Sequence, residues 1–126
     1  MTLAAPSDIE VREHLWESFA SQLRSYATVH ETFVFKISVQ HDGYAILVRT
    51  GRSSMQLALH KNDGSGMLVI DPEGGRKISE PIELRLDGTI RIGESVEALD
   101  LAAIHLMGRF VKSFQDPYLL ALVAML

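Results

Sequence analysis

Three turn signals rich in aspartate and glycine divide residues 32–93 into short segments, and they constrain the fold more than any other feature. These signals are His41-Asp42-Gly43, Asn62-Asp63-Gly64-Ser65-Gly66 and Leu86-Asp87-Gly88. Turns of this composition join antiparallel strands, because glycine and aspartate tolerate the positive φ angles of tight hairpins. The segments between them are apolar or alternate between apolar and polar residues. The sequence therefore predicts five or six strands in one antiparallel meander.

Two amphipathic segments flank the strands. Residues 7–27 begin with Ser7 and place Glu10 three positions later, a capping box in which side chains satisfy free backbone N–H groups. Residues 95–114 carry an apolar stripe at helical spacing, with Ser95 as the expected cap. Gly108 lies inside this second segment and costs about 1 kcal/mol relative to alanine, so we expect it to permit close packing. Helices packed on one face of the sheet give an α+β fold.

The end of the chain is apolar on every side. Asp116 and Pro117 suit the start of a short terminal helix over 118–126. This helix is too short to span a bilayer, but it is apolar all round and must be buried: in its own core, against another subunit or, least favoured, against a membrane. The predicted order is helix, strands, helix and short helix, in a single domain over 1–126. The residues expected at a partner interface are Tyr118, Leu119, Leu122, Val123 and Leu126.

Side-chain parity predicts the register of the first hairpin, because a slip of one residue moves every side chain to the other face. A two-residue loop formed by Asp42-Gly43 gathers the large apolar side chains on one face, and this dipeptide suits a type I′ turn. The resulting pairs are Val39 with Ile46 and Ile37 with Val48.

Side-chain parity predicts a different turn for the last hairpin. A three-residue loop over 86–88 aligns the apolar residues and places Gly88 in the left-handed position of a bulge. The resulting pairs are Leu84 with Ile90, Ile82 with Ile92, and Glu83 with Arg91 as a cross-strand ion pair. Pro81 lacks a backbone N–H, which allows an edge strand over 82–86 but not a fully paired first residue.

Charge and composition exclude several classes of function. The formal net charge of −4 argues against a dedicated nucleic-acid binder. The chain has no cysteine, which fits a reducing compartment, and its first residues do not resemble a secretory signal, so we expect a cytoplasmic protein without membrane contact. A nucleic-acid surface stays the least favoured alternative, and it would use Arg49, Arg52, Arg76, Lys77, Arg85 and Arg91.

The sequence contains no motif that predicts catalysis, a cofactor or a metal. Its five histidines have no metal-ligand spacing, and there is no GxSxG, GxGxxG or GxxxxGK[ST] motif. We therefore predict no catalytic residue, no cofactor and no metal ligand.

Two hypotheses on function follow. The first is a small soluble binding or protein-interaction module that associates with itself as a homodimer. The alternative is a small-molecule-binding protein or enzyme with an apolar pocket between a curved sheet and the helix over 95–114. The ligand groups of that pocket would be Tyr44, Arg49 and His60, and its lining Phe35, Ile37, Met55 and Leu57.

Overall fold

The computed structural model describes residues 7–31 and 36–114. Within these ranges the chain forms a helix, seven strands and a second helix, and the strands pair in sequence order into one antiparallel sheet. The α+β class and the meander are confirmed, with seven strands instead of five or six. The predicted helix over 118–126 lies outside the described residues. The elements are α1 (Asp8–His30), β1 (Ser38–Asp42), β2 (Ala45–Thr50), β3 (Ser53–Leu59), β4 (Ser65–Asp71), β5 (Ile78–Leu84), β6 (Thr89–Ile92), β7 (Ser95–Ala98) and α2 (Leu99–Phe114).

The additional strand, β7, occupies the residues that were expected to start the second helix. Gly93 and Glu94 form a two-residue turn, after which Ser95 pairs with Ile92 and Val96 with Arg91. The predicted cap at Ser95 is therefore wrong, and α2 begins at Leu99. The turn explains the difference, because it brings this segment back along β6, where backbone pairing replaces helical hydrogen bonds.

The first hairpin turns one residue later than predicted, at Gly43-Tyr44 instead of Asp42-Gly43. Val39 pairs with Val48, so its predicted pairing with Ile46 and that of Ile37 with Val48 are wrong. Gly43 has a φ of 58° and Tyr44 a negative φ, which fits a type II′ turn with glycine at its first central position. Each partner shifts by two residues, so the predicted sharing of faces is preserved.

The last hairpin has the predicted register. Ile82 pairs with Ile92, Glu83 with Arg91 and Leu84 with Ile90, and Gly88 adopts a φ of 86°. The predicted ion pair does not form, because the Glu83 carboxylate accepts a hydrogen bond from Nε of Arg85 at 3.0 Å.

Pro81 lies inside the sheet, between β4 and β6, so the edge strand that it would allow is not found, but Pro81 is outside the β5–β6 ladder, as expected of a residue that cannot be fully paired. It pairs with Met67 on one side, and its carbonyl oxygen accepts a hydrogen bond from the backbone N–H of Gly93 at 2.9 Å on the other. The N–H that proline lacks would point to the same side as this carbonyl. The β5–β6 ladder ends one residue away, at Ile82 and Ile92, so no ladder bond is lost.

One face of the sheet, which we call the covered face, packs against both helices. Trp16 and Phe19 of α1 stack with their ring centroids 5.8 Å apart, and Phe110 of α2 is fully buried. The sheet contributes large aliphatic residues from five neighbouring strands. Its largest fully buried members are Ile46, Met55, Leu57, Leu68, Ile70, Ile82, Leu84 and Ile90.

Polar contacts fix the first helix. The Ser7 hydroxyl accepts a hydrogen bond from the backbone N–H of Glu10 at 3.2 Å, which confirms the predicted cap. Arg12 is only 9% exposed, and its Nη1 donates to the carbonyl oxygen of Asn62 at 3.0 Å, which ties α1 to the β3–β4 turn.

The second helix is open to solvent at its glycine. No atom of a neighbouring element lies within 4 Å of a Cβ placed on Gly108, so close packing at this position is not found among the described residues. Neither helix in the described ranges is long and apolar enough to cross a membrane.

Candidate functional site

The second face of the sheet, which we call the open face, is not covered by any helix of the described residues. The strands alternate, so the residues between the buried positions of β2, β3 and β4 all point to this face. Nine residues at the centre of the open face form what we call the open-face patch. They are Ala45, Leu47, Arg49, Ser54, Gln56, Ala58, Met67, Val69 and Asp71.

The register arranges the patch in three rows that run across the strands. The middle row joins Leu47, Gln56 and Val69, and an outer row joins Ala45, Ala58 and Met67. Met67 is 46% exposed, and Leu47 and Val69 are half-buried. The middle of the open face is therefore apolar on β2 and β4 and polar only at Gln56 on β3.

The remaining row carries the charges of the patch. Arg49 on β2 and Asp71 on β4 flank Ser54 on β3, so they are separated by two strand spacings, or about 10 Å. Both side chains are exposed, and neither belongs to an ion pair of the described residues. Each charge is therefore available to an external partner.

A small cleft of about 190 Å³ lies between α2 and the β6–β7 edge of the sheet. Nδ1 of His105 lies 2.6 Å from Oε2 of Glu97, and both guanidinium NH₂ groups of Arg109 donate to Glu80, at 2.8 and 2.7 Å. The bonds from Arg109 lower the pKa of Glu80, and the same contact raises the pKa of Arg109. The lining residues are Ile92, Ser95, Glu97, Ala102, His105, Leu106 and Arg109.

The titratable side chains of this cleft already have partners within the chain. Both NH₂ groups of Arg109 donate to Glu80, and His105 contacts Glu97. The cleft is also smaller than typical ligand pockets, which hold roughly 300–1,000 Å³. It therefore suits a small polar molecule better than a large apolar ligand or a strongly charged anion.

A second cleft, of about 180 Å³, lies where α1 meets the first hairpin. The Tyr44 hydroxyl donates to Oε1 of Glu13 at 2.7 Å, and this hydrogen bond raises the pKa of Tyr44. Nε2 of His41 lies 2.8 Å from the Gly43 carbonyl oxygen. Glu17 completes the lining, so the polar groups of this cleft consist mainly of acids and hydrogen-bonded turn atoms.

The structure separates the three predicted ligand residues. The backbones of Tyr44 and His60 run close to each other in space, because the N–H of Leu59 donates to the Tyr44 carbonyl oxygen at 2.9 Å. Their side chains are nevertheless not in the same cleft. His60 is exposed in the β3–β4 turn, and Arg49 lies on the open face. Neither of them lines the cleft that contains Tyr44.

The residues predicted to line an apolar pocket lie in the core or outside the description. Ile37, Met55 and Leu57 belong to the buried hydrophobic cluster, and Phe35 is outside the described residues. The predicted interface residues Tyr118, Leu119, Leu122, Val123 and Leu126 also lie outside them. The cleft beside α2 is nevertheless between the sheet and the helix that was expected to cover a pocket.

The sequence pattern predicts only Arg49 among the residues of the open-face patch, and it predicts none of the contacts in the cleft beside α2. The alternation of β3 indicates that Gln56 and Ala58 face away from the core, but the rows require the register of β2 and β4. Glu97 and His105 lie on a strand and a helix, and no sequence motif marks such a pair. In the described ranges, histidines and acids form no group of three or more that could hold a metal ion.

Comparisons with known proteins identify no relative. No protein-family model matches the chain, and no curated protein or solved structure is significantly similar to it. The open face and the two clefts are therefore the features from which a function can be inferred.

Proposed function

We propose that this chain is a protein-interaction module that associates with itself through the open-face patch. One observation carries the proposal. Leu47, Met67 and Val69 place large apolar groups at the centre of a sheet face that no described helix covers. Contiguous apolar surface of this kind marks interaction sites in soluble proteins.

The surroundings of the patch also support an interface. Stable interfaces combine an apolar centre with a polar rim that remains accessible to solvent. On the open face, Arg49 and Asp71 lie at one end of the apolar rows, while Glu83 and Arg91 lie on the neighbouring strands β5 and β6. The rim thus carries both signs of charge.

The end of the chain belongs to the same proposal. The apolar residues Tyr118, Leu119, Leu122, Val123 and Leu126 offer a second contact for a partner. The absence of cysteine supports a reducing compartment such as the cytoplasm as the place of action.

Light scattering of matched variants tests the proposal. Met67 and Val96 are 46% and 45% exposed, and both side chains are on the open face, but Val96 is on the edge strand β7. We expect the wild-type chain to be a dimer at micromolar concentration, Met67→Glu to be a monomer and Val96→Glu to remain a dimer. Circular dichroism of both variants confirms that the fold is retained.

Other results assign the contact elsewhere or end the proposal. A wild-type monomer would overturn self-association altogether. A dimer that survives Met67→Glu but dissociates when residues 117–126 are deleted would move the interface to the end of the chain.

A second candidate function, small-molecule binding, is favoured by the cleft beside α2. The cleft joins apolar groups of Ile92 and Leu106 to the polar groups of Glu97 and His105, which is the mixed lining of a ligand site. A screen of small polar fragments by NMR tests this candidate. Shifts confined to Ile92, Ala102 and Leu106 support it, whereas a cleft that binds no fragment removes it.

A further inference from the structure

We infer that two copies of this chain pack face to face about a twofold axis that runs along β3. This inference rests on the proposed function and specifies its geometry. An axis parallel to β3 and lying between the sheets places β2 of each copy over β4 of the other. Every row of the open-face patch then lies over the same row of the second copy, with its ends exchanged.

In this arrangement the β2 residue of each row faces the β4 residue of the same row in the other copy, and the facing residues are complementary. Arg49 of one copy faces Asp71 of the other, so the two exposed charges of the patch neutralise each other twice. Leu47 faces Val69, which joins apolar to apolar. Ala45 faces Met67, which joins the smallest side chain of β2 to the longest side chain of β4.

Residues on β3 meet their own counterparts on the axis. Two Gln56 side chains face each other, and an amide is suited to this because it is both a donor and an acceptor. Ser54 and Ala58 are small and permit close approach. In the row of Gln56, Gln40 on β1 faces Ser79 on β5, which is again a pair of uncharged polar groups.

The spacing between sheets agrees with these pairs. Packed sheets lie about 10 Å apart, and each of the outer rows combines a long side chain with a short one. The long Arg49 spans the gap toward the short Asp71, and the long Met67 spans it toward Ala45.

A twofold axis that runs across the strands conflicts with the same residues. Centred on the row of Gln56, it places Arg49 over Ala45 and Asp71 over Met67. Both charges would then be buried against apolar groups without a partner, which is strongly unfavourable. Charge and size together therefore favour the axis along β3 over the axis across the strands.

Charge reversal tests the geometry. Arg49→Glu gives a chain with two acids in this row, and Asp71→Arg gives one with two bases. We expect each variant alone to associate with itself about tenfold or more weakly than the wild type, measured by sedimentation. We expect an equimolar mixture of the two variants to form heterodimers with wild-type affinity, because each then faces the opposite charge.

This result is specific for pairing between copies. An effect within one chain would weaken a variant equally alone and in the mixture, and circular dichroism detects any loss of fold. If both variants dimerise as the wild type does while Met67→Glu is a monomer, the patch is the interface but this axis is wrong. If the mixture remains as weak as the single variants, the axis is also wrong. A monomeric wild type would overturn the proposed function as well.

Cross-linking gives an independent measurement, because the chain contains no cysteine. A cysteine introduced by Ser54→Cys lies on the axis and should be joined to its counterpart by a short bis-maleimide. The matched control is Ala98→Cys, exposed on the same face on β7. Its counterpart lies about 38 Å away by strand spacing, so it should not cross-link. Equal cross-linking at both positions would contradict the axis.

Discussion

The same strands form both faces of the sheet, but the two faces differ in how their side chains vary from one strand to the next. On β3, Met55, Leu57 and Leu59 point to the covered face and are buried, whereas Gln56 and Ala58 point to the open face and are exposed. The covered face repeats large aliphatic groups from strand to strand. The open face instead varies in charge and size from one strand to the next.

This difference separates stability from specificity. Burial of apolar surface is non-directional, so the uniform covered face stabilises the packing of both helices without selecting a partner. Charge and shape on the open face are directional and distinguish one arrangement of partners from another. Substitutions on the two faces should therefore affect different measurements.

The largest expected effect is a loss in the free energy of unfolding, and it appears when one leucine from each face is replaced and the two losses are compared. Leu57 is fully buried on the covered face, so Leu57→Ala should lower the free energy of unfolding by about 2–5 kcal/mol. Leu47→Ala, on the open face, should lower it by about 1 kcal/mol or less. Urea unfolding of the monomer at low concentration measures both values. Equal losses would show that the open face is part of the core.

The next largest loss in the free energy of unfolding is expected when the buried Arg12 side chain loses its hydrogen bonds. Arg12→Met keeps the apolar stem but leaves the carbonyl oxygens of Lys61 and Asn62 without their donor. We expect a loss of about 1–3 kcal/mol in urea unfolding. Arg24→Met on the same helix is the control, because Arg24 is exposed and its bond to the Val39 carbonyl oxygen is long, at 3.5 Å. A loss as large for Arg24→Met would assign the effect to the helix and not to the buried bonds.

The acid on the covered face should give the stability a pH dependence. Arg109 holds the pKa of Glu80 below its ordinary value of 4.5, so the folded state binds fewer protons than the unfolded state. The stabilisation is present above pH 4.5 and is lost as the pH falls through the lowered pKa. Since the pair is partly exposed, Glu80→Gln should lose about 1 kcal/mol or less at pH 7.

Acid titration of the two proteins measures this difference. Wild type and Glu80→Gln should converge in stability as the pH falls through the lowered pKa of Glu80, where the wild-type carboxylate becomes protonated. Asp63 and Asp87, whose pKa values are lowered by hydrogen bonds from Ser65 and Thr89, contribute equally in both proteins. A difference that stays constant to low pH would exclude the ion pair as its cause.

The smallest expected effect concerns the solvent side of α2. Gly108→Ala should raise the free energy of unfolding by about 0.5–1 kcal/mol, because alanine is the better helix former and nothing described contacts its Cβ. Thermal unfolding followed by circular dichroism measures the change. A loss of stability would show that atoms outside the described residues pack against this position.

The sequence predicted those parts of the fold that depend on local pattern. The register at Leu86-Asp87-Gly88 was correct because apolar pairing and the position of glycine agree there. At Asp42-Gly43 the parity was correct but the turn was not, because parity does not distinguish registers that differ by two residues. The strand at Ser95–Ala98 was missed, since four residues beside an amphipathic helix give little periodic signal.

The candidate site could not be predicted from any one segment of the sequence, because it depends on how separate strands and helices are placed beside each other. Leu47, Gln56 and Val69 become one row only after three strands are in register. The contact of Glu97 with His105 requires the turn of β7 into α2. Single-residue chemistry indicated Tyr44, Arg49 and His60 instead, and the fold distributes these between a cleft, the open face and a turn.

The sequential order of the strands has a consequence for how the chain folds. Each strand pairs only with its neighbours along the chain, so the whole sheet forms through short-range closures that cost little loop entropy. Among the described residues, the packing of α1 on α2 joins the first helix to the last and is the contact between elements that spans the most sequence. Because folding rates rise as contacts become more local, we expect this chain to fold faster than β-sandwich proteins of its length, with docking of the helices against each other as a late step.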